Sequence, residues 1–240
     1  MLTSLQDIIT YAEKLTATWP GEVWWRGHAS NTFALQAGVY RRNHGTRAEQ
    51  NLTLRFRQYA PTRHANCPAQ EDFISWLFLM QHYGLPTRLL DWSASVLVAT
   101  FFAVIERPTE DGVVFAIDPR RMNDVTIGDA TLVPTTSSPA KNLFVGAFDD
   151  RKTDSHTIAV MTHEIDDRML VQQAEFTIHG DKRPLDTRPD ADKFLRRFDI
   201  PAAAKQRLYS QLKIIGFRRS TLFPDLAHLA LDLKELVFLS

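Results

Sequence analysis

Apolar positions along this chain recur with two periods, and the periods divide it into helices and strands. Over residues 3–15, Leu5, Ile8, Ile9 and Ala12 share one helical face, with Thr3 or Ser4 placed to cap and Asp7 in the first turn. Val23 to Trp25 have strand composition, and Arg26-Gly27 ends the strand. Residues 46–64 predict a helix with apolar Leu52, Leu54, Phe56 and Tyr59, basic Arg47, Arg55, Arg57 and Arg63, and a stop at Pro61. Residues 71–83 predict another, whose broad apolar face carries Phe73, Trp76, Leu77 and Met80. It delivers Gln81 and His82 to its end, where Gly84 suits a left-handed cap and Pro86 blocks continuation. Thr87 to Ser95 read as a loop, with Ser93 as the cap of a buried helix over Val96–Glu106.

The second half is less regular. Residues 112–118 are the clearest core strand, and 119–155 read as loops with one short helix. Residues 156–164 predict a strand, and Asp166 to Leu170 a turn. Residues 170–180 alternate, so that Val171, Gln173, Glu175 and Thr177 face one way. A strand over 193–201, a helix over 201–215 and a last helix from Asp225, with Leu226, Leu229, Ala230 and Leu233 on its apolar face, close the chain. The pattern predicts one α+β domain over residues 1–240, with a core at 22–180 and a helical C-terminal part at 181–240.

Composition removes several classes. Hydrophobic residues make up 44% of 240, with 15 Phe and 5 Trp, so the chain is no disordered polymer. Lys plus Arg and Asp plus Glu stand at 28 each, which gives no bulk electrostatic case for nucleic acid or an acidic membrane. Cys67 is the only cysteine, which excludes an intramolecular disulfide and a cysteine-based metal site, and His and acidic residues do not recur at ligand spacing. No apolar stretch has membrane-spanning length and the first residues lack a leader pattern, so the expectation is a cytoplasmic protein with no metal and no membrane partner.

Chemistry concentrates in residues 79–104. Gln81, His82, Tyr83, Thr87, Arg88, Asp91, Trp92, Ser93 and Ser95 run directly into an apolar segment. Such a polar cluster on a buried scaffold suits a binding or catalytic pocket. Arg26 and Arg88 are candidates for phosphate, Trp25, Tyr83 and Trp92 for base stacking, and Asp91 to orient Arg88 or a ribose. A structural reading pairs Arg88 with Asp91 and uses His82 to cap a carbonyl. A nucleic-acid reading takes His28, His44, His82 and His179 as acid/base groups and the arginines of 41–63 as phosphate contacts.

The chain resembles the FRG domain family in four places. These are Trp25-Arg26-Gly27, the run Gln81 to Trp92, the strand Gln172 to Thr177, and Leu222 to Leu226 ahead of a helix. It also resembles, in a shorter pattern, the Arg-Ser-Glu class of ADP-ribosyltransferases. That second resemblance implies an ADP-ribosyltransferase-like β core flanked by helices. It implies NAD as substrate, with Arg26 and Gly27 at its phosphates and Ser93 and Ser95 at the nicotinamide pocket, Ala94 standing where that class has Thr. It also implies Glu175, with Gln173 two residues before it, at the ribose, where a fixed carboxylate stabilises positive charge as the glycosidic bond breaks. The combined expectation is an NAD-binding transferase or NAD-cleaving enzyme. Its catalytic candidates are Glu175, Gln173 and His82, and its nucleotide-binding candidates are Arg26, Gly27, Thr87, Arg88, Asp91, Ser93 and Ser95. The macromolecular acceptor is unknown, and a toxin or phage-defence effector is the implied setting. The alternatives are a nucleotide or small-molecule binding module without turnover, and an effector acting on nucleic acid.

Overall fold

A computed structural model describes residues 2–19, 21–41, 46–149, 154–162 and 167–238. His44 and Asp166, named above as an acid/base candidate and the start of a turn, lie outside the described residues. The first half holds α1 (Leu5–Thr18), β1 (Trp24–His28), α2 (Thr46–Tyr59), α3 (Phe73–His82), β2 (Leu89–Ser93), α4 (Val96–Val104) and β3 (Gly112–Ile117). The second holds α5 (Pro119–Ile127), β4 (Val133–Pro134), α6 (Ser138–Phe144), β5 (Thr157–Met161), α7 (Asp167–Gln172), β6 (Ala174–His179), α8 (Ala191–Phe194), β7 (Leu195–Ile200), α9 (Ala202–Ile214), α10 (Arg219–Leu222) and α11 (Leu226–Phe238). The architecture is mixed α+β.

Local signals explain most element ends. Ser4 caps α1 and Asp7 reaches back to complete a capping box. Gly84 follows α3 with φ +78°, the left-handed turn that glycine adopts freely. Other boundaries differ from the sequence expectation. Arg26 and Gly27 lie inside β1 and do not end it. The expected 87–95 loop contains β2, and the cap of α4 is Ser95, whose side chain accepts from Val98 N–H; Ser93 does not cap. The described part of residues 119–155 holds two α-helices, α5 and α6, because Asp118 and Pro119 start the first and Pro139 sits in the first turn of the second. The strand expected at 170–180 is shorter, since Leu170–Gln172 belong to α7 and Gln173 turns the chain at φ 47°.

The strands form one sheet in the order β4-β5-β6-β2-β1-β3-β7, antiparallel except for β4 and β5. β7, from the expected helical C-terminal part, is an outer strand, paired along β3. Alternation sends successive side chains to different cores. Trp24, Leu90, Trp92, Val113 and Phe115 pack on one face, under α5 and α8. On the other face, Trp25, Val114 and Ala116 pack under α1, α4 and α9. Leu89, Ile158, Phe176 and Ile178 form a separate core with α3 and α6 on that same face. The middle of the sheet is its weakest seam, because β1 and β2 pair only at Trp25 opposite Ser93.

α11 is mounted inside out. His228, Asp232 and Glu235 face α9 and the segment before α11, while Leu226, Leu229 and Leu233, of the apolar face that the spacing predicts, point to solvent. Among the described residues no helix is long and apolar enough to cross a membrane.

Candidate binding cavity

A cavity of about 740 Å³ opens on the sheet face that carries two cores, over the β1–β2 seam. Its floor is β1, β2 and the start of β6; its walls come from α2, α3, α4 and α7. The volume suits a nucleotide-sized ligand, and the lining combines apolar walls with a few convergent polar groups.

Arg26 lines the cavity beside the seam. Its Nε donates to His28 Nε2 at 2.8 Å and its Nη1 to the Asp91 backbone carbonyl at 2.5 Å. The guanidinium therefore supplies Asp91 with the donor that a β1 amide would give if the strands stayed paired. Its charge is only loosely balanced, since Nη1 stands 3.6 Å from the Asp91 carboxylate. Burial pushes Arg26 down to about 10, with Asp91 opposing, so the group stays charged at neutral pH in a site that hydrates it poorly. A desolvated cation of this kind favours an anionic ligand.

Asp91 is held from the other side. Gln81 Nε2 donates to its Oδ2 at 2.8 Å, Thr87 Oγ1 donates to Gln81 Oε1, and Leu89 N–H donates to Thr87 Oγ1 at 3.1 Å. Leu89 N–H, Thr87, Gln81 and Asp91 thus form one continuous chain of bonds that ends at a carboxylate. That side chain is 48% exposed. Gly27 has a different task from close approach to a ligand. A Cβ there would stand 1.8 Å from the Ala99 carbonyl, so its absence lets α4 lie directly on β1.

The structure brings Arg26, Gly27, His82, Asp91 and Ser93 to the cavity. Ser93 is tied there, donating through Oγ to the Gln172 carbonyl at 2.7 Å and accepting from Ser95 N–H. Thr87 stands behind Gln81. Arg88 is not available to a ligand, and its partner is Glu49, not Asp91. Its Nε and Nη2 meet the two Glu49 oxygens at 2.9 and 2.6 Å, and Nη1 donates to the Leu143 carbonyl. The pair is buried and locks α2 to β2 and α6.

Gln173 and Glu175 do not line the cavity. Ala174 and Phe176 do, so Glu175, between them on β6, points to the opposite face. There burial, with the Glu22 charge adding to it, raises its carboxyl to about 7. Gln173 is exposed in the turn before β6, whereas its neighbour Gln172 lines the cavity and donates to the Leu222 carbonyl at 2.8 Å. His28 and His179 are not acid/base groups of this site. Accepting from Arg26 fixes the His28 proton on Nδ1, and burial with the Arg26 charge pushes it down to about 2. His179 is fully buried, shares a hydrogen bond with Thr177 Oγ1 at 3.0 Å, and is pushed down to about 3 by burial and Arg188. Two further arginines reach the cavity: Arg41, one of the 41–63 arginines that the nucleic-acid reading takes as phosphate contacts, and Arg168, which the sequence did not single out. Arg168 lies over Phe223 at 4.8 Å and donates to the His82 carbonyl. Only an aromatic residue upstream of a helix at 223 hinted at it.

One comparison with known proteins covers Trp25-Arg26-Gly27 and the Gln81–Trp92 run together. Residues 21–112 match the FRG domain. The FRG match ends at β3, ahead of α7, β6 and the C-terminal helices, which supply the far wall of the cavity. No curated protein and no solved structure matches the chain.

Proposed function

We propose that this protein binds a phosphate-bearing, nucleotide-type small molecule, with NAD the candidate, in the cavity over the β1–β2 seam. The observation that carries the reading is the Arg26 guanidinium, buried beside a carboxylate that Gln81 keeps at a distance, and so left with charge to offer. Arg41 and Arg168 add positive charge along the same cavity, and Trp25 and Phe102 supply aromatic wall.

Asp91 favours a second reading, NAD cleavage or ADP-ribose transfer. It is the cavity carboxylate with exposed oxygen, on the side from which Glu175 is absent. The ribose C1′–nitrogen bond breaks with its electron pair leaving on nicotinamide. Asp91 faces the cationic carbon, and a water or acceptor oxygen closes on C1′ and releases its proton to solvent.

Calorimetric titration with NAD and a nicotinamide-release assay test both. Saturable NAD binding, lost in Arg26→Ala and weakened in Arg26→Lys, is expected; no binding of NAD or of a panel of nucleotides overturns the first reading. Release that disappears in Asp91→Asn while binding persists is expected under the second. Release untouched by that change, or absent from the parent protein with and without cell lysate as acceptor, overturns it.

A further inference from the structure

We propose that α11 is an association helix, through which two copies of this chain pair about a two-fold axis. A helix on a folded body normally turns its apolar stripe inward. α11 does the reverse, and its polar stripe is fully engaged. His228 bonds Asp225 at 2.7 Å and stacks on Phe223. Asp232 accepts from Ser220 N–H at 2.8 Å, and Glu235 accepts from Lys213 Nζ at 2.7 Å and from the Tyr209 hydroxyl at 3.0 Å. These contacts fix the rotation of the helix, so its outward apolar face is built and not a result of fraying.

That face is a seam. Leu226, Leu229, Leu233 and Leu236 are 83, 41, 50 and 58% exposed. Their spacing of three, four and three residues is the a/d pattern by which one helix receives the knobs of another. The pattern reads the same in both directions. A second α11 laid antiparallel sets Leu226 against Leu236 and Leu229 against Leu233, which is the self-complementarity a two-fold interface requires. No charge stands in the seam, and 28 basic against 28 acidic residues leave no net repulsion between copies. A standard interface covers about 800 Å² per partner, more than four leucines supply. Exposed Val237 on α11, and Ile214 and Ile215 where α9 ends, extend the apolar surface available. Lys213, beside Ile214, bonds Glu235 and so brings that end of α9 to α11.

Sedimentation of the whole chain over a range of concentrations tests this. A dimer is expected, converted to monomer by Leu229→Lys with Leu233→Lys and shifted at least tenfold in dissociation constant by Leu236→Lys alone, with far-UV circular dichroism unchanged. A parent protein that is monomeric at tens of micromolar overturns the proposal, and so does a dimer indifferent to these substitutions. If the double variant loses its fold, Leu236→Lys decides.

Discussion

Gln81 and Asp91 are joined by a 2.8 Å hydrogen bond from the amide Nε2 to the carboxylate Oδ2. The bond holds the carboxylate 3.6 Å from the Arg26 guanidinium, too far for the short contact of a bidentate pair. Freed from the amide, Asp91 can close on Arg26 and neutralise it. Gln81→Leu is therefore expected to weaken NAD binding by about tenfold, or ~1.4 kcal/mol. Calorimetric titration checks this, and unchanged affinity would remove Gln81 from the account.

Arg88 and Glu49 form a buried pair, so breaking it from one side leaves a buried charge. Arg88→Met should cost about 3–5 kcal/mol of stability. Arg88→Met with Glu49→Leu should recover most of that and retain NAD binding. Urea denaturation of both variants measures the difference. If the double variant is as unstable as the single, the pair is not the source of the loss.

Gly27→Ala places a methyl group 1.8 Å from the Ala99 carbonyl, a contact that neither α4 nor β1 can relieve by rotating a side chain. A loss of about 3 kcal/mol or more is expected. A urea midpoint within experimental error of the parent would show that α4 shifts freely.

Glu175 and the two buried histidines give opposing pH dependences. Raised from 4.5 to about 7 in the fold, Glu175 contributes stability that is complete below about pH 4.5 and lost as pH rises through about 7. His28 and His179, lowered from 6.5 to about 2 and about 3, contribute stability that is complete above about pH 6.5 and lost as pH falls. In thermal melts, Glu175→Gln should gain on the parent as pH rises from about 4.5 to about 7.5. A constant difference across that window would mean that Glu175 ionises normally.

Much of the fold was legible because its signals are local. The capping box at Ser4 and Asp7, the apolar face of α3 and the run in β3 need only near neighbours in sequence. β2 was not legible, since Leu89–Ser93 carries Asp and Trp and is strand only because β6 and β1 flank it. The site divides in the same way. Arg26, Asp91 and Gln81 stood out as dense polar residues among apolar ones. The partner of Arg88 did not, because Glu49 lies thirty-nine residues away, on a helix whose pattern shows only its apolar and basic positions. Glu175 was misplaced for a geometric reason. β6 begins at Ala174, and its register turns Ala174 and Phe176 to the cavity and Glu175 to the opposite face, which the alternation alone does not decide.

A sheet held across its middle by one register pair behaves as two stiff plates on a soft hinge line. Arg26 belongs to one plate and Asp91 to the other, so a ligand that touches both fastens the plates together. Occupancy then reads out as stiffness, and the amides flanking Trp25 and Ser93 are where slowed hydrogen exchange would report it.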